Sequence, residues 1–474
     1  MNTVRKVAKN TGVMIVWSIV TKVISLLISV YLARYLGVIE YGNYSFIISY
    51  ALFFSIFVDI GINSFVVREI SRDREKTDEL IANGIGIKLA LFVFVFLLAF
   101  SAINFTSYSS EIKMGVLIAL SSLIFSSLGS LLSTLFQADL KNEYPALADF
   151  ISKLVLGGAV LFISYQKWSM LSILLATLMG SIISFIIIYV FSLGRIHINA
   201  KFNNKIWREI LGPSFLLGFT TVFASVIVGA DTILISFIRG NIEVGYYAIP
   251  RQLTLAINFI PVAFMTSLIP LMSAYSKTSK KLLDKSSRLA LKYMLALGIP
   301  MAFGTTLLAS RIITALYGAQ FQPSSPVLVI MTWCEVIFFC IATFDGLLLS
   351  IDKQKIIFTT AGISTVFNLL LNLLLIPLFG FIGAGIALLL SYIIMTALHL
   401  YLVPGLWRLF DARFIIKSVL ASSIMVLFIQ YTATALHIYI LLPVSALLYF
   451  IVLAVLGGVS SEDIEILNKT IART

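Results

Sequence analysis

The sequence predicts an all-α polytopic membrane protein with fourteen transmembrane helices, arranged as two duplicated six-helix lobes followed by two C-terminal helices. Three observations predict this fold. The 474 residues are 59% hydrophobic and only 12% charged, the apolar residues fall in long runs, and one short motif occurs twice. Because globular proteins carry about 25% charged residues, most of this chain is expected to face lipid.

Fourteen apolar runs are long enough to cross a membrane, since a helix needs about 20 mostly apolar residues to span the hydrocarbon core. We number them spans 1 to 14. They lie at about 12–36, 41–67, 80–104, 112–136, 144–165, 169–193, 209–238, 245–274, 289–317, 325–350, 356–378, 381–404, 413–435 and 438–458.

Lysine and arginine in the loops predict the orientation of the spans. With the N-terminus inside, the outer loops hold only Lys113, Lys167 and Arg239, and all other loop lysines and arginines lie on the inner side. This asymmetry is typical of cytoplasmic loops. It predicts a multi-pass protein of the cell (plasma or inner) membrane with both termini cytoplasmic. It also accounts for the net charge of +12 without a nucleic-acid partner.

A repeated motif divides the chain into halves. Five residues of the stretch RYLGVIEYGNY recur 203 positions later: Gly37, Ile39, Glu40, Gly42 and Tyr44 as Gly240, Ile242, Glu243, Gly245 and Tyr247. Each copy lies between the first two spans of its half. An even number of spans per half predicts parallel repeats, with an N-terminal lobe over 1–200, a C-terminal lobe over 201–405, and the extra helices and short tail over 406–474.

The repeated turns are candidates for an outer gate. Gly37 and Gly240 permit a positive φ and close approach of the backbone, and Glu40 and Glu243 lie beside them at outer-surface depth. We expect these turns to meet at an outer rim when the protein opens towards the cytoplasm. Tight turns with no gating role are the alternative.

Catalysis and metal binding are not expected. No loop exceeds about twenty residues, which leaves no room for a soluble catalytic domain. The three histidines, His197, His399 and His437, are too dispersed for a metal site, and no nucleotide-binding or zinc motif occurs. The sequence therefore predicts neither an enzyme nor a bound cofactor.

Eleven charged residues lie within the spans. Each costs roughly 2.5–3.5 kcal/mol on insertion scales and should face the protein interior or water. They are Lys22, Arg34, Lys88, Lys153, Arg251, Arg311, Asp59, Asp149, Asp231, Glu335 and Asp345.

Lys22 is the clearest functional candidate among them. It lies near mid-membrane on a polar stripe of span 1 formed with Ser18, Ser25 and Ser29. Span 7, the counterpart of span 1, carries its own stripe of Ser214, Gly218, Thr221, Ser225, Thr232 and Ser236. Two polar faces indicate a wet cavity, and small-residue helix packing is the alternative.

Lys153 and Lys88 are further candidates. Asp149 precedes Lys153 by four residues, an order that favours an ion pair within one helix. An ion pair and an anion-binding lysine are therefore both open for Lys153. Lys88 has no such local partner, although an acid on another helix could supply one.

Asp59 and Glu335 are candidates for ion coupling. A carboxylate within a membrane span can bind a proton or a sodium ion, and Asn63 lies one turn from Asp59. The alternative for Asp59 is a structural ion pair with Lys22 or Lys88. Glu335 presents the same choice in the second half, whereas Asp345 lies near the cytoplasmic end of span 10 and is expected to be interfacial.

The chain resembles the polysaccharide transporter family of the multidrug/oligosaccharidyl-lipid/polysaccharide superfamily, which includes the Wzx-type flippases. The resemblance is carried by RYLGVIEYGNYSF, by DIGINSFVVREISR from Asp59 to Arg72, and by the plan of six, six and two helices. It implies two lobes around a cavity that opens alternately to either side. It also implies a polyprenyl-linked oligosaccharide as substrate, with a phosphate-containing head.

The resemblance implies roles for the embedded cations. Lysine offers a compact charge and three donors to phosphate oxygens, so Lys22, Lys88 and Lys153 are the expected head-group ligands. Arg34 and Arg251 are candidates where the cavity opens outwards. The expected partners are membrane lipid and a glycan polymerase or ligase. The protein is expected to be a monomer.

Three other functions remain open. A lipid II flippase has the same number of helices and a cationic cavity. A drug or metabolite antiporter of the multidrug and toxin extrusion branch usually has twelve helices and an acidic cavity, so the lysines here disfavour it. A membrane-embedded glycan ligase or polymerase normally needs a large outer loop, which this sequence lacks.

Overall fold

The computed structural model describes residues 3–196, 203–433 and 435–459, and this part of the chain is built from helices. The helices are α1 (Thr3–Asp59), α2 (Ile62–Arg72), α3 (Thr77–Asn104), α4 (Ser110–Ala138), α5 (Glu143–Tyr165), α6 (Met170–Ser192), α7 (Asn204–Arg239), α8 (Asn241–Ile257), α9 (Phe259–Thr278), α10 (Lys280–Tyr317), α11 (Ser325–Ser350), α12 (Gln354–Leu402), α13 (Ala412–Thr432) and α14 (Ile438–Val455).

Two of these helices each contain two predicted spans. α1 covers span 1 and most of span 2, with Gly37 at φ 71° and ψ −179° between them. α12 covers spans 11 and 12, with Gly380 at φ 59° and ψ −142°. Side chains with a Cβ rarely adopt these backbone angles, so glycine is what allows the chain to turn at both places.

Spans 2 and 8, the second span of each half, are interrupted, whereas the sequence predicted continuous helices over 41–67 and 245–274. In span 2 the break follows Asp59, where Ile60 and Gly61 have φ of 38° and 77°. In span 8 it falls at Asn258, between α8 and α9. Pro261 has no N–H to donate to the last turn of α8, which explains why that helix ends there.

The predicted all-α polytopic membrane class is confirmed. Eleven helical segments of the described chain are long and apolar enough to cross a membrane, and two of them, built from α1 and α12, contain two predicted spans each. α7 covers span 7. Short polar side chains cap two of the helix starts, since Ser109 accepts from the Ile112 N–H and Asp411 from the Phe414 N–H.

Internal contacts group the chain into two compact units. One holds residues 1–248 with 369–384, and the other holds 249–368 with 385–474. The core of the first is formed by Phe65, Leu132 and Phe136 with their neighbours, and a core of the second by Phe344, Tyr449 and theirs. The division at 200 and 405 follows the sequence repeat and stays a prediction. His197 and the tail over 460–474 lie outside the described residues.

Candidate functional site

α1 and α5 pack side by side and run in the same direction. Polar and aromatic contacts along their length fix the register between them. The contacts are Trp17 with Phe150 (ring centroids 4.9 Å apart), Tyr31 Oη with Ser164 Oγ (2.6 Å) and Tyr35 Oη with the Trp168 carbonyl just beyond α5 (2.6 Å).

This register puts Lys22 and Lys153 at nearly the same level. Lys22 lies five residues beyond Trp17 and Lys153 three beyond Phe150, a difference of about 3 Å along the helix axes. Lys22 is exposed, Lys153 is half-buried, and neither forms an ion pair or a side-chain hydrogen bond with any described residue. The possible local pair of Lys153 with Asp149 is absent.

Lys88 differs from Lys22 and Lys153, because groups of the protein itself bind its ammonium group. The side chain is 1% exposed, and its Nζ lies 2.7 Å from Asp59 Oδ1. It also donates to the Ser127 carbonyl at 3.2 Å and to Ser130 Oγ at 3.5 Å. A lysine has three donors, so all three are engaged. Of the two alternatives for Asp59, the structure contains the ion pair with Lys88.

The Asp59–Lys88 pair lies at the break in span 2. Asn63, the first polar residue of α2, donates to Ser130 Oγ at 3.1 Å. Asn63 Oδ1 and Ser127 Oγ are buried without a hydrogen-bond partner among the described residues. Neither Ser127 nor Ser130 was predicted to belong to a site, although the run SSLGSLLS from residue 126 to 133 indicates a polar face on span 4.

The second half has a polar site at its own interrupted span. Glu335 of α11 is buried. With its amide nitrogen turned towards α11, Asn258 at the break in span 8 donates to both oxygens of that carboxylate. Arg251 of α8 is also buried and within electrostatic reach of Glu335. Arg251 was predicted to bind substrate where the cavity opens outwards, but its side chain is buried in this structure.

The repeated turns touch each other through equivalent atoms. A Cβ added to Gly42 would lie 1.9 Å from the Asn241 carbonyl oxygen, and one added to Gly245 would lie 2.3 Å from the Val38 carbonyl oxygen. Gly42 corresponds to Gly245 in the repeat, and Val38 to Asn241. The two glycines therefore make the same contact reciprocally, which only residues without a Cβ can make.

Polar groups beside these glycines are hydrogen-bonded. Asn241 Nδ2 donates to Asn43 Oδ1 at 2.8 Å and so joins the two turns. Glu243 accepts from the Phe381 N–H at 2.8 Å and from Arg239 at 3.1 Å, and Glu40 accepts from Asn43 at 3.5 Å. Gly37 and Gly240 have φ of 71° and 90°, as predicted for tight turns.

The polar stripes of spans 1 and 7 differ in their surroundings. Ser29 on α1 shares a hydrogen bond of 2.9 Å with Tyr41, and Arg34 beyond it is exposed. Ser214, Thr232 and Ser236 on α7 are buried, which favours the packing alternative for these three. The side chains of Ser18, Thr221 and Ser225, and the surroundings of Gly218, lie outside the described part.

Comparison with known proteins identifies relatives. The sequence profile described as "Polysaccharide biosynthesis protein" matches residues 7–276, and that described as "Lipid II flippase MurJ" matches residues 214–454. "Probable low-salt glycan biosynthesis flippase Agl15" of Haloferax volcanii is 25% identical over 170 residues, 36% of each chain. "Probable flippase AglR" of the same organism is 28% identical over 181 residues, 37% of each chain. These alignments span little more than a third of either relative.

Solved structures share the fold. "Lipid II flippase MurJ, inward closed conformation" superposes with a TM-score of 0.80 at 20% identity, covering 94% of this chain and 97% of that one. A multidrug resistance MATE family transporter of the MOP superfamily, in an inward-facing conformation, gives a TM-score of 0.64 at 13% identity, covering 82% and 95%. The resemblance read from the sequence is confirmed at the level of family and fold.

The Asp59–Lys88 pair makes a testable contribution to stability. Lys88 is buried but Asp59 is 38% exposed, so removing one partner should cost less than the about 3–5 kcal/mol of a fully buried ion pair. Replacing both partners with apolar groups of similar size is often nearly neutral. Asp59→Ala, which strands the ammonium of Lys88, is expected to lower the unfolding temperature clearly in detergent. The double variant Asp59→Ala/Lys88→Met is expected to recover much of that loss. Equal melting of parent and Asp59→Ala would contradict the pairing.

Proposed function

Because the chain belongs to the polysaccharide biosynthesis protein family, we propose that it is a flippase for a polyprenyl-(pyro)phosphate-linked oligosaccharide. It moves this glycolipid from the cytoplasmic to the outer leaflet of the cell membrane by alternating access, and it is a transporter, not an enzyme. Two curated relatives are described as probable flippases, one of them in glycan biosynthesis, which supports this function.

The observation that carries the proposal is the pair of lysines on α1 and α5. Lys22 and Lys153 lie at one level and make no ion pair within the described chain. A charge within a span needs compensation, and an arriving phosphate group supplies it. Each ammonium can give charge-assisted hydrogen bonds to phosphate oxygens. Lys88, whose donors are engaged, has an indirect role by holding Asp59, and Arg34 is a ligand on the outward path, as is Arg251 if it leaves its buried position.

An apolar groove supports a lipid-linked substrate. A cavity of about 270 Å³ lies among α10, α13 and α14 and is lined by Pro300, Met301, Leu308, Met425, Leu442 and Phe450. Its walls suit a polyprenyl chain, which can remain in the bilayer while the head group crosses. This groove also gives the two C-terminal helices, which lie outside the repeat, a purpose in the proposed mechanism.

We further propose that the repeated turns form the outer gate. The reciprocal contact of Gly42 and Gly245 closes this rim, and the hydrogen bond between Asn43 and Asn241 holds it. Transport is ion-coupled in this proposal, with Asp59 and Glu335 as coupling candidates. Both belong to polar sites at interrupted spans, and coupling-ion sites of transporters are commonly built at broken helices.

A lipid II flippase is the second candidate function. The match of residues 214–454 to the MurJ profile favours it. Both candidates handle a polyprenyl pyrophosphate, and they differ only in the attached glycan. A drug antiporter of the MATE branch is disfavoured by the two lysines, since cationic drugs suit acidic cavities. A glycan polymerase or ligase receiving the product is the expected partner, and the working unit is a monomer.

The head-group proposal predicts the effect of removing one charge. Lys22→Gln is expected to weaken binding of the glycolipid about tenfold or more, because a hydrogen bond to a charged group contributes about 1.5–3 kcal/mol. Lys22→Arg should retain part of the activity. The measurement is flipping of a polyprenyl-pyrophosphate oligosaccharide in reconstituted vesicles, with Lys167→Gln on an outer turn as control. Parental flipping by a well-folded Lys22→Gln would contradict the assignment.

The gate proposal predicts crosslinking. Cysteines replacing Asn43 and Asn241, which are hydrogen-bonded at 2.8 Å, are expected to crosslink on oxidation or with a short bis-thiol reagent. The crosslink should hold the rim closed and stop flipping, and reduction should restore it. Each single cysteine variant serves as control. Crosslinked protein that still flips at the parental rate would leave the turns without a gating role.

The rim glycines can be tested through the space they leave. Gly245→Ala puts a methyl group against the Val38 carbonyl oxygen, so the two turns must move apart. A cysteine at Asn43 should then react several-fold faster with a membrane-impermeant maleimide added outside. Gly158→Ala is the matched control, because a Cβ there meets no atom within 4 Å. An unchanged labelling rate in Gly245→Ala would show that the contact does not close the rim.

A further inference from the structure

Arg311 of α10 is a charged residue within a predicted span that the proposed transport path does not use. Its side chain is exposed, and its Nη1 donates to the carbonyl of Ala433, just beyond α13. It forms no ion pair with any described residue. Because a guanidinium has five N–H donors, most of them remain available to a ligand.

Arg311 lines a polar cavity of about 470 Å³ between α10 and the turn that joins α13 to α14. No carboxylate lies among the described residues that line it, whereas Arg311 and His437 can both donate hydrogen bonds. The helix α14 begins here, since Ile438 lines the cavity, and the His437 side chain does not cap it. A helix N-terminus has free N–H groups and a partial positive charge, so the cavity suits an anion. Its lining includes Ser310, Arg311, Thr314, Leu436, His437 and Ile438.

The apolar groove among α10, α13 and α14 adjoins this polar cavity. On α10, Leu308 of the groove precedes Arg311 of the cavity by three residues, and on α14, Leu442 of the groove follows Ile438 of the cavity by four. Residues with this spacing lie on one face of a helix, about one turn apart. By the predicted orientation, the cavity lies at the outer ends of these helices and the groove lies deeper in the membrane. The helices thus present cationic donors beside an apolar trough.

We propose that the cavity and the groove form one binding site for the lipid part of the translocated glycolipid on the outer side of the membrane. The pyrophosphate lies at Arg311 and His437, and the first isoprene units lie in the groove. Arginine binds phosphate oxygens through two parallel N–H bonds. Leu442 and Phe450 in the wall of the groove are 42% and 43% exposed, so a chain can enter from the bilayer.

The chemistry of the site favours the glycolipid over a membrane phospholipid. A polyprenyl pyrophosphate has one chain and more negative charge than a phosphodiester, which fits a single groove with Arg311, His437 and a helix N-terminus at its end. Because Arg311 lies near the outer end of its predicted span, the site holds the glycolipid after its head group has crossed. The identity of this lipid rests on the proposed function, whereas a site for an anion with an apolar chain does not.

Binding can be measured by calorimetry with farnesyl pyrophosphate, which carries the same head group on a short isoprenoid chain. In Lys22→Gln/Lys153→Gln protein, which lacks the proposed head-group lysines, we expect this probe to bind. Adding Arg311→Gln should weaken binding about tenfold or more, and Arg311→Lys should weaken it less. Lys167→Gln, which removes a cation from another outer turn, is the matched control. Equal affinity with and without Arg311, in variants with the parental unfolding temperature, would overturn the site.

The groove is tested by filling it. Gly304 lines the groove, and a Cβ there lies 3.6 Å from Met425 Cε. Gly304→Leu is therefore expected to weaken binding of farnesyl pyrophosphate but not of inorganic pyrophosphate, and Gly158→Leu is the control. Parental binding of farnesyl pyrophosphate by Gly304→Leu would remove the groove from the site. Dioctanoyl phosphatidylglycerol should bind more weakly than farnesyl pyrophosphate, and tighter Arg311-dependent binding of this phospholipid would overturn the assignment to the glycolipid.

The role of the site in transport is tested in vesicles. Flipping of a polyprenyl-pyrophosphate oligosaccharide is expected to be several-fold slower in Arg311→Gln than in the parent and in the control Lys167→Gln. Parental flipping by Arg311→Gln would overturn this role. If the parent itself flips no glycolipid, the proposed function fails, while the titration with farnesyl pyrophosphate still decides whether the site exists.

Discussion

An ionisable group inside an apolar span must find a partner of opposite charge or a hydrogen-bonding group. Water is scarce there, so an unpaired charge is costly. The structure meets this constraint at Lys88 with Asp59. Lys22 and Lys153 make no such pair within the described chain. In the proposed mechanism the phosphate of the substrate is the missing partner. The need to compensate these two lysines would therefore favour an anionic substrate.

The second constraint is the close approach of the two repeated turns, which requires glycine because it has no Cβ. The repeated motif keeps Gly42 and Gly245 because each meets a carbonyl of the other turn, and any Cβ would separate them. The duplication visible in the sequence thus becomes a reciprocal contact in the fold. Backbone carbonyls and the hydrogen-bonded pair Asn43 and Asn241 form the centre of this contact, and Phe46 packs against Phe237 beside it.

Sequence periodicity was enough to predict the helical class and the positions of the spans, because lipid imposes a length and a composition on each helix. It did not reveal the breaks in spans 2 and 8, although Gly61 and Pro261 are local signals for them. The sequence also did not reveal which charged residues pair when they are far apart along the chain. Asp59 and Lys88, for example, are 29 residues apart.

Transport of glycolipid can be measured after reconstitution of the purified protein in vesicles that carry a polyprenyl-pyrophosphate oligosaccharide in one leaflet. Its appearance in the opposite leaflet can be followed with an impermeant lectin or glycosidase. We expect protein-dependent translocation of this anionic glycolipid and none of a cationic drug. Translocation no faster than in empty vesicles, or transport of the drug instead, would contradict it.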